Sequence, residues 1–244
     1  MGKVTRKSLF ALAVIVCAGT AVNAAVTAQW LLDEGGSGGG DTAYDSAGYG
    51  NNMVIETGST AGQWLYENSQ YGTGFSFNGT QRFEAVRSAG GFPFDFSGDF
   101  SISADIHTSS GGIIFATSAA DSWAYNGKRF EILGGKVYFQ SYGRGALSGT
   151  TNIQGALHNV MVTYDSSESL LSLYVDGELD ASGTLTLYSD SYNAYLGGLE
   201  SDGELLAPLS GILSNVQISD VVLPEPATVI LFGFGALSLF KKRK

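Results

Sequence analysis

His158-Asn159-Val160-Met161-Val162-Thr163-Tyr164-Asp165, followed by Leu171-Ser172-Leu173-Tyr174-Val175-Asp176-Gly177, is the stretch that decides the fold. Val160, Val162 and Tyr164 share one face of an extended chain, and Leu171, Leu173 and Val175 repeat the pattern. A period of two marks a strand, because successive strand side chains point to opposite faces. Asp176-Gly177 between strand patterns is a two-residue hairpin turn, whose central residues need positive φ. Upstream, Phe100, Ile102, Ala104 and Ile106 fall on one face, with Ser101, Ser103, Asp105 and His107 on the other. Shorter runs predict strands at 29–32, 52–56, 112–118, 130–133, 137–141 and 212–218, separated by Gly, Asn, Asp and Ser clusters. There is no helical period between 25 and 223, no internal repeat and no interior linker. The expected fold is all-β, a two-sheet antiparallel β-sandwich.

Composition agrees. Glycine supplies 34 of 244 residues without a collagen period, so the glycines belong to turns between short strands. The single cysteine, Cys17, lies in the apolar run near the start. A chain cleaved after that run has no thiol, disulfide or cysteine-based metal site.

The two ends read differently from the middle. Lys3, Arg6 and Lys7 precede an apolar stretch at 9–18, and Val22-Asn23-Ala24 places small residues at cleavage positions. Residues 1–24 are therefore expected to be a signal helix, with Ala25 the mature start; a retained anchor is the alternative. At the other end Pro224-Glu225-Pro226 is followed by an apolar run at 227–240 and by Lys241-Lys242-Arg243-Lys244. Fourteen residues of helix reach roughly 21 Å, short of the ~30 Å hydrocarbon core, so such an anchor spans only by thinning or snorkelling. The basic cluster would remain cytoplasmic. This three-part tail, 223–244, resembles the PEP-CTERM sorting signal. The resemblance implies an exosortase as processing partner, a C-terminal hydrophobic anchor helix holding the chain in the membrane before processing, and export to the cell surface or an exopolysaccharide matrix. An ordinary tail anchor is the alternative.

With three basic residues in the leader and four in the tail, six of the 13 basic residues and 22 of the 23 acidic ones lie between, about −16 for the ectodomain, residues 25–222. That charge disfavours nucleic acid and anionic membrane as partners and suits neutral sugars, divalent cations or plain solubility.

Further motifs carry a second resemblance. Gln29-Trp30-Leu31-Leu32-Asp33-Glu34-Gly35, Asp45-Ser46-Ala47-Gly48-Tyr49-Gly50-Asn51 and Phe75-Ser76-Phe77-Asn78-Gly79 come in order. Phe94-Asp95-Phe96, Phe100-Ser101-Ile102-Ser103-Ala104, the 158–177 pair and a closing strand at 211–218 follow. Together they resemble laminin G-like, concanavalin A-like domains across nearly all of 28–219. The resemblance implies a laminin G-like jelly roll, a fold that hosts lectins, adhesion modules and glucanases alike. The chain departs from the pattern at Leu157, Asn159 and Ser214. The last stands where relatives carry an Asp that helps hold calcium.

Catalysis by this fold would need two carboxylates flanking the scissile bond, about 5–5.5 Å apart for retention. Glu200, Asp202 and Glu204 have alternate spacing, but Ser201 and Gly203 between them predict a solvated loop. Asp176, Glu178 and Asp180 repeat the spacing with Asp176 in the hairpin turn. The expectation is therefore a non-enzymatic module. Asp33, Asp41 and Asp45 are the candidate calcium ligands, since calcium takes six to eight oxygens. His107 and His158 lack metal spacing and read as strand residues. Trp64, Trp123, Tyr125 and Tyr192 are the candidate ligand-binding aromatics, with Tyr66, Tyr188 and Tyr195 nearby in sequence, because an exposed ring can stack on a sugar. Trp30 belongs to the core. The expected partner is an extracellular glycan or exopolysaccharide; a protein-binding matrix role is the second reading and a glycoside hydrolase the third.

Overall fold

The computed structural model describes residues 26–34, 41–55, 63–65, 70–85, 94–119 and 122–223. The expected signal helix, the Pro224-Glu225-Pro226 motif, the anchor helix and Tyr66 lie outside these residues. Within them every regular element is a strand. No helix there is long and apolar enough to cross a membrane.

The strands run in chain order as β1 (Val26–Trp30), β2 (Thr42–Ala43), β3 (Met53–Ile55), β4 (Gln63–Leu65), β5 (Gly74–Asn78), β6 (Phe83–Ala85) and β7 (Phe100–Ser118). There follow β8 (Lys128–Leu133), β9 (Lys136–Ser141), β10 (Gly145–Ser148), β11 (Leu157–Asp165), β12 (Leu170–Val175) and β13 (Glu178–Thr184). The last four are β14 (Asn193–Leu196), β15 (Leu199–Ser201), β16 (Glu204–Leu206) and β17 (Ser210–Ser219).

They form two antiparallel layers. The first has the order β13-β12-β11-β7-β17, with β1 and β5-β4 end to end along the far side of β17. The second has the order β10-β9-β8-β7-β14-β6-β3-β2. β7 belongs to both. Residues 100–107 pair with β11 from Tyr164↔Phe100 to Leu157↔His107. Residues 112–117 pair with β8 and residues 115–118 with β14. The sequence predicts two strands here, at 100–106 and 112–118. The structure joins them because Gly111 (φ 97) and Gly112 (φ 130) turn the chain without ending it.

The core lies between the layers, as the alternation predicts. Phe100, Ile102, Ala104, Ile106, Val160, Val162, Tyr164, Leu171 and Leu173 are all buried on the first sheet. They meet Phe83, Phe115, Phe130, Phe139, Ala194 and Leu196 of the second. Trp30 is fully buried, its indole N–H donating to the Asn51 carbonyl at 2.8 Å. A knot of edge-on rings, Phe75, Phe77 and Phe83, closes one side with centroids 4.8–5.9 Å apart. Each fully buried ring contributes on the order of 2 kcal/mol through lost apolar exposure.

Asp176-Gly177 takes φ 51 and 82, the predicted type I′ turn. Asp202-Gly203 (φ 55 and 80) does the same between β15 and β16. The stretch expected to be a loop there is a hairpin instead. Across the first sheet, Asn159 and Asn215 donate to the two oxygens of Asp105 at 2.7 and 3.3 Å, so one departure from the family pattern is used as a hydrogen-bonding strut.

Two outcomes follow. A Cβ at position 112 would sit 2.4 Å from the Leu209 Cα in a backbone region that side chains avoid. Gly112→Ala is expected to lower stability by about 2 kcal/mol or more, read from urea unfolding. Asp180 fastens β13 to residues 150–151. Partial burial alone would raise its carboxyl, but hydrogen bonds from the hydroxyls and amides of Thr151 and Thr150 outweigh that and hold it below the ordinary aspartate value of 3.8. The stability it contributes is present above that value and is lost as pH falls through the depressed one. Below pH 4, Asp180→Asn should therefore lose less stability than the parent chain.

Candidate functional site

Alternation along β8 and β9 sends Phe130, Ile132, Val137 and Phe139 into the core and Arg129, Glu131, Tyr138 and Gln140 to the outer face of the second sheet. The register sets Arg129 opposite Gln140 and Glu131 opposite Tyr138. This is a polar floor with little water. The Glu131 side chain is 1 % exposed and its Oε1 lies 3.2 Å from Arg129 Nε. The two are close enough to attract as charges but not aligned as a hydrogen bond. Arg129 Nε, Glu131 Oε1 and Gln140 Oε1 are all buried without a hydrogen-bond partner. Burial pushes the Glu131 carboxyl above its ordinary value, and the Arg129 charge only partly pulls it back. Beside Glu131 opens a groove of about 240 Å³, walled by Gly111, Gly112, Leu133, Ala207 and Pro208.

A strap forms the other wall. The β15–β16 hairpin and Ala207 lie over Ile113, Ala116 and Tyr195 in a small second apolar cluster. Ile113 N–H donates to the Ala207 carbonyl at 3.0 Å and Leu209 N–H to Gly197 at 2.7 Å. Glu200 of the strap pairs with Arg82 at 2.5 Å, and that guanidinium sits 5.4 Å from the Tyr195 ring. Burial and the neighbouring Glu84 charge push the Tyr195 phenol far up.

An aromatic rim stands at the end of this floor. It comes from three loops: β7–β8, β9–β10 and β13–β14. Trp123 lies 5.7 Å from Tyr142 and carries the Arg129 guanidinium at 5.4 Å from its ring. Tyr192 Oη donates to the Tyr125 carbonyl at 2.8 Å. Arg144 is held between Tyr125 (4.6 Å) and Tyr188 (3.8 Å). Tyr125, Tyr142 and Tyr188 are each 43–52 % exposed. The third loop is tied down by a buried ion pair: Lys128 Nζ donates to Asp190 Oδ2 and to the Tyr188 carbonyl, both at 2.6 Å. The two charged side chains are 2 % and 4 % exposed.

Three of the four candidate aromatics, Trp123, Tyr125 and Tyr192, thus share one rim. Trp64 does not. It packs edge-on against Phe75 at 4.9 Å and lies 5.7 Å from Phe83, so it serves the core side rather than a ligand. Tyr195 is likewise buried, on β14. The calcium candidates are not gathered. Asp33 and Asp41 are exposed. Asp45 spends both oxygens on Gln29 N–H, Ala47 N–H, Asn51 N–H and the Asn51 amide, at 3.0–3.1 Å. It latches the first strand to the following turn. Among the described residues no group of three or more His, Cys, Asp or Glu is arranged to hold a metal ion. His158 Nδ1 meets Asp176 at 2.8 Å, and His107 stacks near Tyr71 at 4.4 Å. Of the acid triplet, Glu200 is spent on Arg82 and Asp202 forms the turn.

The sequence reading passed over Arg129, Glu131, Arg144 and the Lys128–Asp190 pair. The alternation of β8 carried a signal for the first two, since Arg129 and Glu131 flank Phe130. Nothing local in the sequence marks the others, whose partners lie 18 to 62 residues away or across loops.

Residues 78–227 match the concanavalin A-like lectin/glucanases superfamily model of the laminin G type. No curated protein sequence matches the chain. Among solved structures, domain 4 of the extracellular arabinanase AbnA from Geobacillus stearothermophilus, in complex with arabinotriose, is similar at TM-score 0.60 and 15 % identity. The match covers 83 % of this chain and 95 % of that one. The binding domain of Paraclostridial Mosquitocidal Protein 1 is similar at TM-score 0.60 and 13 % identity, over 85 % of this chain and 51 % of that one. A botulinum neurotoxin type C structure, described as dependent on two ganglioside molecules for cell entry, gives 0.59 and 14 %, over 84 % and 50 %. The chain spans about half the length of both toxin structures. These likenesses are of fold.

Removing Lys128 would strand a buried carboxylate. Lys128→Met is expected to cost about 3–5 kcal/mol, and pairing it with Asp190→Leu should recover much of that loss in a thermal double-mutant cycle.

Proposed function

Because the chain belongs to the concanavalin A-like lectin/glucanases superfamily, we propose that it is a non-catalytic recognition module that holds a glycan against the aromatic rim and the polar trough beside it. The observation that carries this reading is the convergence of Trp123, Tyr125, Tyr142, Tyr188 and Tyr192 from three separate loops into one partly exposed surface. Core packing gives no reason to place such rings at loop tips. Ring faces bury the apolar C–H side of a sugar while its hydroxyls stay wet.

Hydrolysis asks for two carboxyl groups across the scissile bond. In the trough, Glu131 faces Arg129 instead of a second acid. The structural neighbours with a named sugar or binding role support a binding module by analogy of fold. Export by the leader at 1–24, sorting at Pro224-Glu225-Pro226 by an exosortase, transient anchoring by 227–240 and residence at the cell surface or in the matrix complete the proposal. These rest on the sequence pattern of the two ends. A second reading, protein contact within a matrix, has its own observation: Leu157, Leu170 and Leu179 are 39–52 % exposed on the outer face of the first sheet.

On a glycan array the protein should bind with and without chelator, because Asp45 has no oxygen to spare for calcium. Trp123→Ala and Tyr125→Ala should each weaken binding at least ~10-fold, the cost of about 1.4 kcal/mol of stacking. Trp64→Ala should instead lower the melting temperature through on the order of 3 kcal/mol of lost packing. Silence of the array in both conditions would overturn glycan recognition and leave the protein-contact reading.

A further inference from the structure

The rim contains a cation that no carboxylate among the described residues neutralises. On the second sheet and its loops, Arg82 is paired with Glu200, Lys128 with Asp190 and Arg129 with Glu131. Arg144 has no such partner: among the described residues no carboxylate lies within 4.0 Å of its guanidinium, and its hydrogen bond is Nε to the Asn126 side-chain oxygen at 2.8 Å. Its two Nη groups carry four further donors. They make no hydrogen bond to the described residues.

The group is nevertheless fixed in place. Tyr125 and Tyr188 flank the guanidinium from two different loops. Asn126, which orients Nε, is held at φ 71, with its N–H on the Tyr142 carbonyl at 3.1 Å. Arg144 N–H donates to the Ser141 carbonyl at 3.0 Å. Even the neighbouring glycine is committed: a Cβ on Gly143 would stand 2.0 Å from the Tyr125 ring, so the ring lies against bare backbone. An arginine left to solvent needs none of this. A planar fork held still, with its outer donors free, is the arrangement that engages an oxyanion through two parallel hydrogen bonds at small entropic cost.

Resting on the glycan-recognition reading above, we infer that Arg144 reads an anionic substituent, so that the ligand of the rim is an acidic saccharide bearing a carboxylate or a sulfate ester, the other sugar faces stacking on the tyrosines. The net charge of the ectodomain does not oppose this. At physiological ionic strength charges beyond about 8 Å are largely screened, while a contact pair is screened much less. The nearby acids Asp190 and Glu131 are already matched to Lys128 and Arg129. The neutral-sugar expectation from overall charge gives way to the local one.

The test uses the full chain solubilised in detergent, with binding measured by calorimetry to an oligouronate, to its carboxyl-reduced neutral counterpart, to dextran and to dextran sulfate. The expected result is a preference of at least ~10-fold for an anionic member over its neutral counterpart, as for a hydrogen bond to a charged group. Arg144→Gln should collapse that ratio towards one, and Arg144→Lys, which keeps the charge but loses the fork, should restore only part of it. Lys136→Gln, an exposed cation at the far end of β9, should leave the ratio unchanged. Preference for oligouronate assigns the carboxylate and preference for dextran sulfate the sulfate ester; either upholds the inference. Equal binding of charged and neutral forms would overturn it and leave glycan recognition standing. A preference that survives in a folded Arg144→Gln chain would overturn the role of Arg144. Binding of none of the four ligands would overturn this inference and the glycan reading together.

Discussion

At Gly111 and Gly112 a single 19-residue strand leaves one sheet and enters the other, and most of the architecture depends on that passage. A Cβ at either position would collide with backbone, 2.3 Å from the Ile132 oxygen or 2.4 Å from the Leu209 Cα. Because backbone has nowhere to yield, the bend is open to glycine alone. It fixes how the layers meet and hence which face of each strand sees the core. It also places the first wall of the groove beside Glu131, so the trough begins where the shared strand turns.

The second sheet then does two jobs with one ladder. Its inner face supplies Phe115, Phe130, Phe139 and Leu196 to the core. Its outer face carries charges beside a strap that packs Leu199 over Ile113, Ala116 and Tyr195 of the sheet and so excludes water from one side. Buried polar atoms without partners cost about 1–3 kcal/mol each, and Arg129 Nε, Glu131 Oε1 and Gln140 Oε1 stand together. A well-packed apolar core of the same chain leaves no such residue elsewhere on β8 or β9 apart from Ser141.

The rim owes its shape to buried electrostatics as much as to its rings. Lys128 and Asp190 are almost wholly removed from water, and that pair gains its strength from added hydrogen bonds to the Tyr188 carbonyl and from Thr117. The loop bearing Tyr188 and Tyr192 is thereby referred to β8, the same strand that bears Arg129 and Glu131. Rim and floor share one rigid reference, which is the condition for recognition by several weak contacts at once.

The sequence by itself determined the all-β class, the inward faces of β7, β11 and β12, and the turn at Asp176-Gly177. Those features follow from side-chain alternation and from backbone sterics within a few residues, and both are local. It also singled out Trp123, Tyr125 and Tyr192 as aromatics in loops, but weighed Trp64 equally, since composition does not say which ring meets Phe75 and Phe83. Only the tertiary structure separated them. It alone joined 100–106 to 112–118 as one strand, made a hairpin of 199–206 around Asp202-Gly203, spent Asp45 on the turn at 47–51, and left Arg144 without a carboxylate among the described residues. Each of these depends on partners brought from far along the chain, and whether a charge is matched or a ring is covered is a property of what packs against it.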